Sequence, residues 1–161
     1  MTSTPRDPDF EQRIRSSFGR QAAMATVGAT LARVTPGEVV LDLPFRPALT
    51  QQHGFLHAGI VTTVMDSACG YAALTLMQPG AAVLTVEFKV NLLSPARGKR
   101  FCAIGRVVRA GRTVTVVSGE FRVVEPADDA QPKPAEDTTG ALVAIMTGTM
   151  MAVADRPGLV D

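Results

Sequence analysis

Asp66 is the only formally charged residue between positions 51 and 77, in the run QQHGFLHAGIVTTVMDSACGYAALTLM. On a helix its neighbours are Thr62 and Thr63 one turn earlier and Cys69 and Gly70 one turn later, which offer hydroxyls but no cation. A carboxylate held out of water without a positive partner is costly, and its pKa rises. The bland alternative places Asp66 at the helix surface or bonds it to backbone across a subunit boundary. The residues just upstream could complement a reactive carboxylate. If a helix starts near Ala58 or Gly59, its first-turn amides have no partner within the helix and favour negative charge. Gln51 carries an amide suited to orienting a water or a carbonyl, although a loop glutamine is equally read as a solvated side chain.

Several chemistries are excluded by spacing. His57 lies nine positions before Asp66, nearly opposite it if both are helical, so a His–Asp relay within one chain is not expected and His57 is left to shape the loop and cap the helix. His53 and His57 have no third ligand nearby, so no metal site is expected. Ser67 adjoins Asp66 and points elsewhere, and there is no GxSxG elbow, P-loop or dinucleotide fingerprint. What remains is a carboxylate acting on water or directly on an electrophilic carbonyl that amides polarise.

These residues must be positioned by a small scaffold. The chain has 161 residues, 19% of them charged, with a net charge of +1, which suits one domain and gives no surplus for a nucleic-acid backbone or an anionic membrane. Cys69 and Cys102 form neither a disulfide framework nor a metal cluster and are expected to be reduced and buried. The polar N-terminus lacks a signal-peptide pattern, so a cytoplasmic location is expected. Residues 56–77 are long enough to cross a bilayer, but Asp66, His57 and several Thr and Gly argue against it.

Asp9 is placed to cap a short helix over 10–20, with Phe10, Ile14 and Phe18 on one face that needs a partner. Strand-like runs at 28–34 and 38–44 flank a Pro36-Gly37 turn, with Val39, Leu41 and Leu43 on the buried side. A helix over 58–77 is apolar nearly all round and should be enclosed by protein. Strands beginning at Ala81, Lys99 and Thr113 are joined by hairpins, a Pro- and acid-rich loop covers 126–139, and a last strand begins at Ala141. One antiparallel sheet curled around one helix satisfies this pattern, and a second subunit would complete it.

The runs GFLHAGIVTTVMDSACGYAA and AAVLTVEFKVNLLSPA resemble the hotdog-fold thioesterases of the phenylacetate-degradation (PaaI-like) type. That family's pattern is His-Gly-Gly at the helix start, an acid nine positions after the histidine, and a strand ending in Ser-Pro-Ala. The resemblance implies an α+β hotdog domain over 28–153, preceded by an arm and short helix over 1–27 and followed by a tail over 154–161. It implies hydrolysis of an aryl- or medium-chain acyl-CoA thioester in a homodimer, packed as a homotetramer, with no cofactor, since coenzyme A is part of the substrate. By the same resemblance Asp66 is the general base or nucleophile, and His57 belongs to the helix start. The amide of Ala58 or Gly59 holds the thioester oxygen, Gln51 assists water or carbonyl, and Thr85 is a hydroxyl contributed by the neighbouring subunit.

Ala58 replaces the commoner glycine, which keeps the amide but narrows its backbone freedom. Pro95 and Ala96 are expected along the pantetheine arm, with Arg97, Lys99, Arg100, Arg109 and Arg112 toward the coenzyme's phosphates, or else as ordinary surface charge. Ala68, Cys69, Ala72 and Ala73, with Met65, Leu76, Met77 and Phe55, are the expected acyl-pocket walls, or else ordinary core. The alternative activity is a hotdog protein that binds acyl-CoA without hydrolysing it.

Overall fold

The amphipathic helix expected near the N-terminus forms in the computed structural model, which describes residues 4–124, 138–154 and 156–158. Helix α1 (Phe10–Arg20) buries Ile14 and Ser17, and Phe10 and Phe18 pack on the core beside them. Its start differs from expectation. Asp9 makes no side-chain cap, while Asp7 accepts from the Asp9 amide at 2.9 Å and pairs with Arg13 at 3.3 Å. A second helix, α2 (Ala22–Val27), was not legible in the sequence, because six residues are too few to show a helical period. It ends at Gly28, which is left-handed at φ 80° and therefore belongs to a helix end rather than to the strand expected there.

Strands β1 (Thr30–Thr35) and β2 (Glu38–Pro44) pair across the Pro36-Gly37 turn, where Gly37 supplies φ 78°. Val39, Leu41 and Leu43 are fully buried, as alternation requires. Val40 is buried too, because on the other face of the sheet it joins Cys102, Ile104 and Val124 in a small second cluster.

Helix α3 (Ala58–Leu74) is the central element and stops three residues before the expected end at Met77. Beyond Leu74 the chain tightens into shorter-range bonds, Leu76 N to Ala73 O and Met77 N to Leu74 O, both at 3.1 Å. Thr75 marks this end: its hydroxyl donates to Ala72 O at 2.7 Å and accepts from the Gly37 amide at 2.8 Å. Among the described residues no helix is long and apolar enough to cross a membrane.

Strands β3 (Ala82–Leu92), β4 (Arg100–Ala110), β5 (Val114–Val123) and β6 (Ala141–Val153) complete a six-stranded antiparallel sheet of order β1-β2-β4-β5-β6-β3. The sheet carries α3 on its inner face, as the apolar circumference of the helix demanded. Contact is close at Gly105, where a Cβ would stand 2.3 Å from the backbone carbonyl of Ala68. Glycine at mid-strand is therefore what lets the helix seat. Phe101 and Phe121 stack behind it at 5.5 Å, and Met146 and Met150 fill the space toward β3.

The two sheet edges differ. β1 is six residues long, whereas β3 is eleven and leaves Leu84, Val86 and Phe88 exposed. Of the acidic loop expected over 126–139, positions 126–137 lie outside the described residues.

Candidate active site

The middle of α3 places Asp66 half-buried on the one stripe of the helix that the sheet does not cover, in line with Gly59, Thr62 and Thr63. Burial pushes its carboxyl pKa up, and a hydrogen bond from Thr85 partly offsets the rise. Thr85 Oγ1 donates to Asp66 Oδ1 at 2.9 Å, and both residues belong to the same chain. The resemblance had implied a hydroxyl from the neighbouring subunit; the order of the sheet brings β3 back beside α3 and supplies it internally. Thr62 and Thr63 do not serve Asp66. Their hydroxyls donate to Ala58 O at 2.9 Å and Gly59 O at 2.7 Å, the carbonyls four residues back. Cys69, one turn on, is sealed in the core, and burial with the nearby Asp66 charge pushes its thiol up to about 12.

The helix start is organised by His57. Its backbone is extended at φ −63° and ψ 137°, and its Nδ1 accepts the Gly59 amide at 2.9 Å. A neutral ring accepting at Nδ1 carries its proton on Nε2. This cap consumes one of the two amides considered for an oxyanion. The Ala58 amide has no hydrogen-bond partner among the described residues, so it is the open donor. Ala58 is the first helical residue, a conformation that needs none of the backbone freedom alanine gives up relative to glycine.

Gln51 stands beside it at the head of a tight turn. Its side-chain Oε1 accepts from the His53 amide, its backbone N–H donates to Phe55 O at 2.9 Å, and Gly54 closes the turn at φ 81°. Gln51 Nε2 makes no hydrogen bond among the described residues, and Gln51 lines the same cavity as Ala58. His53 lies in the exposed part of the turn, its ring 3.4 Å from Gln52 Nε2.

These groups fall into two sets. A cavity of about 480 Å³ is lined by Gln51, Phe55, Ala58, Pro95 and Ala96. A separate one of about 360 Å³ is lined by Asp66, Gly70, Tyr71 and Thr85. Along α3, Ala58 and Asp66 are about 12 Å apart by the rise of a helix. One carbonyl group cannot touch both within a single chain.

The basic residues divide as well. Arg97 and Lys99 precede β4 and follow Pro95 and Ala96, with Arg100 opening the strand, while Arg109 and Arg112 stand at the far end of β4, about 30 Å away by strand rise. Arg100 is committed to Asp42 at 2.5 Å, an ion pair within the sheet. The expected acyl-pocket walls are mostly core: Met65, Ala68, Cys69, Ala72 and Ala73 are fully buried against the sheet. Leu76 and Met77 line a third cavity and Phe55 the one at the helix start. The cavity at Asp66 is instead walled by Ser17 of α1, by Gln21 just beyond that helix, and by Gly70 and Tyr71. A signal for Ser17 was present in the sequence, since it falls three residues after Ile14 on the apolar face of α1.

A half-buried carboxylate and an open helix-start amide on a helix wrapped by an antiparallel sheet define a class, and comparison with known proteins agrees. A sequence profile of the thioesterase superfamily matches residues 53–129. A solved thioesterase family protein from Silicibacter pomeroyi is 50% identical, with a TM-score of 0.80, covering 91% of this chain and 99% of that one. The chain belongs to the thioesterase superfamily. Within it the fold is the PaaI-like hotdog: the PaaI protein of the Escherichia coli phenylacetic acid degradation operon superposes with a TM-score of 0.75 over 91% of this chain and 94% of that one, at 16% identity, a likeness of fold alone. Human acyl-coenzyme A thioesterase 13 is 28% identical over 90 residues, which are 55% of this chain and 64% of that protein.

Proposed function

We propose that this chain hydrolyses an acyl-CoA thioester to the free acid and coenzyme A, acting in the cytoplasm. The observation that carries this reading is Asp66, a carboxylate with raised proton affinity, oriented by Thr85 and open to a cavity. Membership of the thioesterase superfamily and the name of the human relative support the substrate class.

As general base, Asp66 takes a proton from a water whose oxygen attacks the thioester carbon. The carbonyl π electrons move to oxygen, which the Ala58 N–H stabilises. Collapse of the tetrahedral species breaks the C–S bond, and the leaving thiolate recovers the proton from Asp66. As nucleophile, Asp66 itself forms the new C–O bond, releasing the thiolate and leaving an anhydride that water then opens. Thr85 holds the carboxylate in both routes, Gln51 Nε2 orients water or carbonyl, and His57 fixes the helix start.

The separation of about 12 Å between Ala58 and Asp66 makes the site a shared one. Asp66 and Thr85 of one subunit meet Ala58 and Gln51 of another. The long β3 edge, with Leu84, Val86 and Phe88 exposed, is the surface on which two copies pair into a homodimer, packed further as a homotetramer. Pro95 and Ala96 flank the pantetheine arm, and Arg97 and Lys99 meet the phosphates. Arg109 and Arg112 would serve a coenzyme held at another subunit's site.

The test is thiol release from a panel of aryl- and fatty-acyl-CoAs by the parent, Asp66→Asn and Asp66→Ala. Saturable release from at least one substrate is expected, falling by about a hundredfold or more in both variants. Rates unchanged in both variants, with fold and assembly retained, would remove Asp66 from the mechanism. Binding of acyl-CoA by the parent without any release would point to the non-hydrolytic alternative.

A further inference from the structure

Thr85 has a second acceptor within reach. Its Oγ1 lies 3.3 Å from Met150 Sδ as well as 2.9 Å from Asp66 Oδ1. A threonine hydroxyl carries one proton and two lone pairs, so it donates to only one of these acceptors at a time. An ionised carboxylate accepts far more strongly than a thioether, and the proton then points at Asp66. Protonation of Asp66 reverses that preference. A carboxyl protonated on Oδ1 donates to Thr85 Oγ1, and the threonine proton is released to turn to Met150 Sδ.

The sheet holds Met150 for this contact. Met150 is fully buried and stands directly opposite Thr85 in the register of β3 with β6. The register breaks at the next residue of β3, where Val86 is left unpaired as a bulge. A bulge re-aims the side chains beside it, and here Thr85 meets both β6 and the middle of α3. Leucine would fill the same space with hydrocarbon; the thioether adds an acceptor.

We propose that Met150 is a positioning residue for the hydrolysis, the acceptor to which the Thr85 hydroxyl turns when Asp66 takes up its proton. The inference rests on the thioesterase reading above and deepens it. In the general-base route the water proton passes to Asp66 Oδ1 as the water oxygen forms its bond to the thioester carbon. Asp66 then donates to Thr85 Oγ1, and the Thr85 O–H rotates from Oδ1 to Met150 Sδ without breaking. When the leaving thiolate recovers the proton, Thr85 turns back. Met150 therefore favours the protonated carboxyl and makes Asp66 the stronger base.

The ionisable groups around this carboxylate do not act through Thr85. On α3 the Cys69 thiol is buried, and Tyr71 OH lies 3.3 Å from Ser17 Oγ. From α1 Arg20 reaches the rim of the cavity and is bonded to Ser16 Oγ at 3.0 Å. On β3 Glu87 accepts from Thr149 Oγ1 at 2.5 Å, and β6 carries no ionisable side chain. On the strands behind the helix Glu38 pairs with Arg106, Asp42 with Arg100 and Glu120 with Arg122, while Arg109 stands at the far end of β4. In the shared site the other subunit adds His57, next to Ala58. All of these are common to the variants that test Met150.

The experiment compares the parent with Met150→Leu, Thr85→Val and the double variant. It reads the acid limb of kcat/KM for thiol release and, independently of turnover, a carbon NMR titration of the Asp66 carboxyl. Met150→Leu should move both to lower pH, opposite to Thr85→Val, and lower the plateau kcat because a weaker base abstracts less readily. In the Thr85→Val background Met150→Leu should shift neither further, since the sulfur acts only through the hydroxyl. Norleucine in place of the methionines, which exchanges sulfur for a methylene in a side chain of the same shape, repeats the comparison if leucine lowers the melting temperature. Unmoved curves in both replacements, or an equal shift with and without Thr85, remove Met150 from the role and leave the thioesterase reading standing. A titration that shifts as expected in a chain releasing no thiol supports the Met150 contact and overturns the activity. Neither shift nor turnover overturns both readings.

Discussion

Thr85 Oγ1 donates to Asp66 Oδ1 across 2.9 Å, tying the sheet-edge strand β3 to the middle of α3 within one chain. A neutral donor of this kind favours the ionised carboxylate and opposes the effect of burial, which alone would raise the pKa further. The exposed position of Thr85 on β3 makes substitution there tolerable to the fold.

The base must be ionised to act, so kcat/KM should rise with pH through the pKa of Asp66, at a pH above the ordinary carboxylate range. Thr85→Val removes the interaction that lowers this pKa. Its acid limb should therefore move to higher pH, which a pH–rate profile measures directly, and a limb left in place would assign the bond no electrostatic part.

Asp66→Asn should raise thermal stability while abolishing turnover. A carboxyl whose folded pKa lies above its unfolded value contributes stability below the unfolded pKa and loses it as pH rises through the folded one. At neutral pH the parent thus carries the cost of a half-buried charge, and asparagine, neutral throughout, does not. Melting temperatures should diverge in favour of the variant as pH rises through the pKa of Asp66 and converge below it.

Ala58→Pro removes one atom's function with little else. Proline suits the first helical position, and the extended backbone of His57 at ψ 137° is what a residue before proline requires. The substitution deletes the open N–H while His57 keeps its cap on Gly59. A loss of roughly a hundredfold to a thousandfold in kcat is expected, with a melting temperature close to the parent's. Full activity in the folded variant would show that the oxygen is held elsewhere.

A site shared between subunits predicts complementation. Ala58→Pro and Asp66→Asn, each inactive alone, should regain activity when co-refolded, because a mixed dimer holds one site with both the Ala58 amide and the Asp66 carboxylate. Random pairing returns about a quarter of the parental rate per subunit. No recovery in dimers shown to be mixed would place the whole site in one chain.

Local patterns in the sequence carried much of the fold. The period-two run Val39, Leu41, Leu43 forms the buried face of β2, and the all-apolar helix is enclosed as its composition required. The isolation of Asp66 from any cation at helical spacing was visible, and so was the likeness of the helix start to a known family. Helix α2 was not legible at six residues, and the end of α3 depended on Thr75 bonding Gly37, which lies 38 positions away.

The sequence by itself determined where the carboxylate and the first-turn amides lie along α3, because helix geometry depends only on residue order, while the structure left the Ala58 amide open and closed that of Gly59. Tertiary structure alone decided that Thr85 is the hydroxyl at Asp66, and that Gln51 shares a cavity with Ala58, Pro95 and Ala96. It also decided that Arg109 and Arg112 stand far from Arg97 and Lys99, and that α1 walls the pocket at Asp66. Each of these is set by strand order and by how the helix seats on the sheet, and residues far apart in the chain meet there through packing that no local periodicity records.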